Sequence, residues 1–499
     1  MTSVSARWRF EFNEVRSLPP LAWLARVDKG VVKVSCGTSV RIEVRGFFEG
    51  TWAGTSAIAG AARATTVFGS GIVIDGDELV AVPPAHPFEP IYLTTERDGT
   101  LVVANSFVCL LQATGRELDP GALYPPLFGL INRGLSHGVI EIPTTTDPIT
   151  VHYFENIRIA RDGSTTIRPK PRERPFVDFA DYRDRLRERL RSTFENSAGY
   201  SPVVALSSGY DSTATAAVAV HAGCHRASTF RSAWPWAGYS GEEDSGESTA
   251  RILGLDVQVF DRLAYQQLPD APEAEFLATG MTGEDVVQRS METSLTRSVL
   301  LTGYWGGAAW RGYPRANLSR LDLSGASLGE FRLRADFIHL PMASIGAINQ
   351  PNLLRIRASP EMRPYSVGGR YDEPVARRLA EEAGVPRGTF AVQKRAASQL
   401  IHRFGVDALS PSGRASFERF AGSEALASLP RRDRIGRRHR AAIKIARALR
   451  ADGLVAGVVE RKWRAVHIEP VLGSLLLRWA VEEIRPRYLA VAREPSIRD

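Results

Sequence analysis

The first third of the chain alternates between apolar and polar positions. IVIDGDELVAV, YLTTERDGTLVVA and NIRIARDGSTTI each centre on an Asp-Gly pair: Asp75-Gly76, Asp98-Gly99 and Asp162-Gly163. Apolar or alternating runs on both sides of a dipeptide that accepts positive φ predict three β-hairpins. Residues 1–168 therefore read as a β-rich domain. PKPRERP follows at 169–175, with three prolines and four charges in seven positions. Proline stiffness and charge predict a solvated linker there, and a domain boundary.

Beyond the linker the period changes. DYRDRLRERLRSTFEN (181–196) sets Tyr182, Leu186, Leu190 and Phe194 four apart, on one helix face. SPVVAL, ASTFRSAW, LDVQVFD and SVLLTGYWGG read as strands, with TATAAVAVHAG and STARILG as helical segments between them. Such alternation predicts a parallel sheet covered by helices. From about 375 onward the pattern is mostly helical. Within that part, RRDRIGRRHRAAIKIARALR (431–450) carries Ala442, Ile445, Ala446 and Leu449 on one face and cations elsewhere. It reads as a packed amphipathic helix with a solvated face, or as a surface for an anionic partner. The expected class is α/β, a parallel-sheet domain over 176–499 behind a β-rich one.

Composition adds bounds. At 499 residues, 44% hydrophobic and 24% charged, the chain is globular and long enough for two domains. Cys36, Cys109 and Cys224 are scattered, which supports neither a disulfide scaffold nor a zinc site and fits a reducing cytoplasm. The N-terminus lacks a signal-peptide pattern and no 18-residue apolar window occurs, so a soluble, cytoplasmic protein without a membrane span is expected. Arginine supplies 57 of the 63 cations. Residues 1–168 are net −2 and the rest net +10, which would draw an acidic or phosphorylated small molecule as readily as nucleic acid. No aromatic interleaves the 431–450 cations, so nucleic acid is a disfavoured partner. Oligomeric state is not readable.

The sharpest chemical feature is Ser207-Ser208-Gly209-Tyr210-Asp211-Ser212, between strand VVAL and helix TATAAVAV. Hydroxyls and bare N–H groups at a strand's carboxyl end suit phosphate oxygens, and the next helix adds its positive end. An acid inside such a loop reads as a Mg²⁺ ligand, or as a residue near a helix cap. The pattern is not the Walker loop.

LSSGYDS resembles the pyrophosphate loop, S-G-G-x-D-S, of asparagine synthetases and the related N-type ATP pyrophosphatases. STFRSAW followed by ESTARILGLDVQVF is similar to the family's adenine-binding strand and the elements after it. LLTGYWGGAAWRGY (300–313) sits where the family has S-G-x-G-x-D-E-x-x-G-G-Y, and EMRPYSVGGRYDEP (361–374) resembles its E-x-R-x-P-F-L-D segment. FAVQKRAAS is similar to the segment carrying the catalytic lysine, which would be Lys394. The matches run in order over roughly 200–400.

The resemblance implies an adenine nucleotide alpha hydrolase-like domain and two-step chemistry. ATP adenylates a carboxylate and releases pyrophosphate; an amine then displaces AMP to form an amide. Ser207, Ser208, Gly209 and Ser212 would hold pyrophosphate, with Thr302 and Gly303 from the second loop. Asp211 would hold Mg²⁺, and Lys394 would neutralise charge at the α-phosphate or the acyl-transfer oxyanion, unless it is a solvated lysine. The departures are Ser208 for the second glycine, Tyr304 at an acidic position, and Gly307 and Ala308 for Asp-Glu. Asp244, Asp322, Asp336 or Glu330 are candidates to help hold the metal. Tyr304 reads as a base, as in the related β-lactam synthetases, or as a buried aromatic.

The family's glutaminase domain starts with Cys at position two; this chain has Thr2. The β-rich domain resembles that Ntn-hydrolase fold loosely, through VVANSFVCLLQATGRELDP and ENIRIARDG, and reads as a degenerate version. Glutamine is thus disfavoured as nitrogen donor. The expected activity is an AMP-forming amide ligase acting on a small-molecule or peptide carboxylate and amine, in specialised or cell-surface metabolite biosynthesis. Lasso-peptide cyclases and β-lactam synthetases are similar departures. The rivals are an RNA-modifying ATP pyrophosphatase and a non-catalytic ATP-binding scaffold.

Overall fold

The computed structural model describes residues 8–197, 199–232, 244–268, 273–278, 285–310, 325–368, 372–391, 397, 405–428 and 470–492. The N-terminal third is a two-sheet sandwich. A seven-stranded sheet runs Arg9–Glu14, Val31–Cys36, Trp23–Asp28, Leu101–Ala104, Ile91–Thr95, Ile149–His152, Val139–Ile142 from edge to edge; all neighbours but the first pair are antiparallel. The facing six-stranded antiparallel sheet runs Thr165–Arg168, Asn156–Ile159, Glu78–Val82, Val67–Asp75, Gly46–Trp52, Arg41–Glu43. Alternation sends Trp23, Val32 and Val34 of one sheet into one core with Phe47, Ile72, Leu79 and Ile157 of the other. Each such buried side chain contributes roughly 1.5–3 kcal/mol.

The three hairpins stand as read. Gly76, Gly99 and Gly163 take φ +65°, +88° and +82° in their turns. Within VVANSFVCLLQATGRELDP, Ser106 starts helix Phe107–Thr114 by accepting the N–H of Cys109.

Residues 169–175 carry no regular structure and are exposed as expected, except at Lys170 and Glu173. Lys170 is buried and its Nζ donates to the Asn156 side chain, while Glu173 pairs with Arg185 and Arg189. Charges whose partners lie on neighbouring strands and helices can be packed, and a local reading of composition does not see those partners. Helix Phe179–Asn196 follows, with Asp178 accepting the N–H of Asp181 at its start. Tyr182, Leu186 and Leu190 are buried; Phe194 is only half-buried.

The second sheet system is parallel: β1 (Ser201–Leu206), β2 (Arg226–Phe230), β3 (Asp256–Phe260), β4 (Ser298–Thr302) and β5 (Phe337–Pro341), in spatial order β3-β2-β1-β4-β5. The sequence reading found four of these and missed β5, because FIHLP is a short, mostly apolar run with too little period to distinguish strand from buried helix. Helix α1 (Tyr210–His221) follows β1, and its buried Ala214, Ala216 and Ala217 let it lie close on the sheet.

The two parts share a core. Leu24 and Val102 of the sandwich fall in one cluster with Leu300, Phe331 and Phe337. A buried ionic group crosses the same boundary. Arg332 binds Glu49 through two 2.8 Å bonds, and its Nε lies 2.5 Å from Glu89. Among the described residues no helix is long and apolar enough to cross a membrane.

Candidate functional site

The strand order reverses between β1 and β4, so the chain leaves their carboxyl ends in opposite directions. Open α/β sheets bind ligands at such a switch point. Both loops singled out from the sequence arrive there. Ser207–Ser212 continues β1, and Gly303–Ala309 continues β4.

The β1 loop is bonded to itself. Ser207 Oγ lies 2.8 Å from Ser212 Oγ, the Gly209 N–H reaches Ser207 Oγ at 3.2 Å, and Ser212 Oγ also accepts the Ser207 N–H at 3.2 Å. These side chains are half-exposed. Tyr210, by contrast, is buried, with its hydroxyl bonded to Arg377 and its ring edge-on to Phe390. One aromatic anchor thus fixes the helix start while the polar groups face outward.

Ser208 is clamped. Its N–H donates to the Asp244 carbonyl at 3.3 Å, its hydroxyl donates to the Asp244 carboxylate, and its carbonyl accepts the Ala391 N–H at 2.6 Å. The last bond brings the chain to the loop three residues before Lys394, which itself lies outside the described residues, as do Thr2, Asp322 and the 431–450 stretch.

Asp211 stands in the first turn of α1, near the positive helix end. The cap position belongs to Gly209, so Asp211 stands near a helix cap, in the first turn, as well as in the loop. Two glycines of the facing loop are required by its position. A Cβ on Gly303 would lie 2.5 Å from the Asp211 carbonyl carbon, and one on Gly306 would lie 2.3 Å from Asp211 Oδ1. Only bare backbone lets the β4 loop close on the Asp211 carboxylate.

The rest of the β4 loop is core. Trp305 takes φ +72° and leads into the short helix Gly306–Ala309. Ala308 and Ala309 are buried, the Ala308 carbonyl accepts from Gln350, and the Trp310 indole donates to Tyr182 at 2.7 Å. Tyr304 is half-buried, edge-on to His339, with Gln288 donating to its hydroxyl at 3.0 Å. Thr302 is buried and its hydroxyl lies 3.0 Å from His339 Nε2.

Of the acids offered as metal helpers, Asp244 alone among the described residues adjoins the loop. Asp336 precedes β5 at the opposite end of the sheet, bonded by Tyr200 and near Arg297. Glu330 is buried between Ser106 and Tyr488. No cluster of three or more metal-ligating side chains occurs among the described residues. The donor set nevertheless fits Mg²⁺ brought in with phosphate oxygens and water, since that ion commonly takes only one or two carboxylates from the protein.

Sequence reasoning missed the ionic group behind the β4 and β5 ends. Burial by itself would raise the Glu89 carboxyl, but Arg332, His339 and His86 hold it down at about 2. Burial raises Glu49 despite Arg332. Nothing in the local pattern marks these residues, because each partner comes from a distant segment.

No family model matches the chain and no curated protein matches it. Among solved structures, a glutamine-dependent NAD+ synthetase from Acinetobacter baumannii in complex with ADP is similar at 16% identity and a TM-score of 0.23. The match covers 50% of this chain and 43% of that one, so the chain spans less than half of that protein's length.

Proposed function

We propose that this chain is an ATP-dependent, AMP-forming ligase that adenylates a carboxylate and joins it to an amine. The carrying observation is the serine-rich loop at the carboxyl end of β1, at the reversal of strand order, with Gly303 and Gly306 closed on Asp211. In this reading Ser207, Gly209 and Ser212 exchange bonds among themselves for bonds to pyrophosphate oxygens. Ser208 holds the loop's shape, and Thr302 and Gly303 form the facing wall. Asp211 holds Mg²⁺, which when bound supplies charge neutralisation for the leaving pyrophosphate. Lys394 stabilises charge at the α-phosphate or the acyl-transfer oxyanion.

We further infer a domain boundary at 169–175, a cytoplasmic location and an amine source other than glutamine, since Thr2 lacks a thiolate's nucleophilicity. The substrates are a small-molecule or peptide carboxylate and amine, in specialised or cell-surface metabolism.

The test is AMP and pyrophosphate release from ATP with panels of carboxylates and amines, beside calorimetry of ATP with and without Mg²⁺. Release that needs both a carboxylate and an amine supports the reading. Release with tRNA alone points to an RNA-modifying pyrophosphatase. ATP binding that is absent or indifferent to Mg²⁺ points to a scaffold, the reading favoured by Gly307 and Ala308. Glutamate release from glutamine, lost in Thr2→Ala, overturns the nitrogen-donor inference.

A further inference from the structure

The sandwich is open at one side. Strand Ile149–His152 alternates, and its buried Ile149 and Val151 pack in one cluster with Phe107 and Leu110 of helix Phe107–Thr114. Its polar positions therefore turn towards the other sheet. Thr150 stands opposite Leu93 and His152 opposite Ile91, and both partners belong to the core between the sheets. On the facing sheet Ile167 pairs with Ile157, a member of that same core at 2% exposure, yet Ile167 is 58% exposed. An inward-facing isoleucine left in the open means that the two sheets part here. Between them lies a cleft of about 640 Å³, to which Leu93, Val139, Thr150, His152, Ile157 and Ile167 all contribute. That volume is typical of a small-molecule site.

The polar groups of the cleft are sorted by place. Its charged lining residues, Glu96, Arg97 and Asp147, belong to the turns at one end of the strands Ile91–Thr95 and Ile149–His152. His152 stands at the other end, opposite Ile91, which is five residues or roughly 17 Å of extended chain from Glu96. The His152 ring is buried, and its Nε2 lies 3.0 Å from the Glu155 carbonyl. A carbonyl only accepts, so Nε2 carries the hydrogen. Burial pulls the ring down from 6.5 to about 4, which leaves it neutral near pH 7. Nδ1 is then a lone pair, and among the described residues it has no partner. An acceptor buried without a partner is costly, and a donor inside the cleft would recover that cost.

We propose that this cleft binds a neutral aromatic molecule carrying an O–H or N–H group, which donates to His152 Nδ1 while the ring lies between the aliphatic walls. Leu93 and Ile157 are buried at its base, and Val139 and Ile167 are the exposed apolar surface that such a ring would cover. A thin, planar body suits a gap between two sheets, whose faces pack about 10 Å apart. An ion is disfavoured at the His152 end, because a desolvated charge needs a partner and the lining charges stand at the opposite end. The proposal is independent of the ligase reading, since the cleft shares no residue with the β1 and β4 loops.

Phenol is the probe, titrated into the full chain while nitrogen-15 spectra of the histidine rings are recorded. The His152 signals are assigned by their loss in His152→Gln, or by their shift in Thr150→Val if the first variant does not fold. The expected ring is neutral and protonated at Nε2, and phenol should move its Nδ1 signal saturably. Fluorobenzene, of similar shape but without the donor, should bind about tenfold more weakly, and benzoate more weakly still. Ile167→Trp, at an exposed position, should fill the mouth and weaken phenol binding about tenfold while the unfolding midpoint stays in place. A ring protonated at Nδ1, or an imidazolium, overturns the proposal, as does an Nδ1 signal that phenol does not move. Fluorobenzene binding as tightly as phenol overturns the role of the donor. Tighter binding of benzoate or benzylammonium overturns the neutral class, and phenol binding untouched by Ile167→Trp places it outside the cleft.

Discussion

The two strand ends that face each other across the order reversal are built in opposite ways. At the end of β1, half-exposed Ser207, Gly209 and Ser212 bond to one another, so each bond can be exchanged for one to a ligand. At the end of β4 the chain turns through Trp305 into a helix whose Ala308 and Ala309 are core, as is Trp310 after it. Equal placement on the sheet does not make equal chemistry. Among the described residues the β4 end contributes shape and close backbone, while the carboxylates near the loop, Asp211 and Asp244, stand on the β1 side.

The variant that breaks this contrast most completely is Asp211→Ala. If the β4 end supplies no carboxylate, removing Asp211 leaves Mg²⁺–pyrophosphate without its protein ligand, and AMP formation should fall by about 100-fold or more. The unfolding midpoint without ATP should barely move, because the buried anchor of that turn is Tyr210. Retained turnover in the assay of AMP release would place the metal ligand elsewhere.

The same contrast decides what was legible in the sequence. The β1 loop could be read because its chemistry is local: six consecutive residues supply hydroxyls, bare backbone and an acid. The hairpins were legible for a similar reason, each being set by its own Asp-Gly pair. The Glu49–Arg332–Glu89 group, His339 and the buried Lys170 were not, because they acquire meaning only from partners far away in the chain. β5 failed differently, as a short apolar run whose type only its neighbours fix. Gly307 and Ala308 read as departures from the family's pattern, and nothing local showed that Ala308 and Ala309 become core.

A smaller effect sharpens the role of the β4 backbone. In Gly306→Ala the new Cβ would stand 2.3 Å from Asp211 Oδ1, so the carboxylate or the loop must shift. A cost of about 1–3 kcal/mol in stability is expected. Mg²⁺-dependent ATP binding should weaken as well, measured by calorimetry. Gly329→Ala, whose Cβ would meet nothing within 4 Å, serves as the control without that contact. Equal behaviour of the two would mean that the loop does not close on Asp211.

Lys170 extends the contrast to the linker, where it is buried within a mostly exposed segment. Burial lowers its ammonium from 10.5 to about 7, against the pull of Glu155. The unfolded chain then binds the proton more readily between those values, so stability rises as pH climbs from about 7 towards 10. Below about 7 the penalty of the buried charge stands in full. Lys170→Met should remove that slope in urea titrations at the two ends of the window. An unchanged slope would show that Lys170 does not set it.

The smallest effect concerns Ser208, the loop residue whose groups all face protein partners. Its hydroxyl donates to the Asp244 carboxylate, so it is committed to shape, whereas Ser207 and Ser212 bond within the loop. Ser208→Ala removes one bond and keeps the N–H and carbonyl clamps to Asp244 and Ala391. The loss should appear as about 1 kcal/mol of stability. ATP affinity should stay within about twofold, because no phosphate contact is removed. Ser212→Ala provides the opposite case: its hydroxyl is one that a ligand can take over, so its affinity loss should be nearer tenfold. If Ser208→Ala instead weakens ATP binding as much as Ser212→Ala does, the Asp244 bond opens when nucleotide enters. The β1 loop would then be remodelled by its ligand and not merely re-paired.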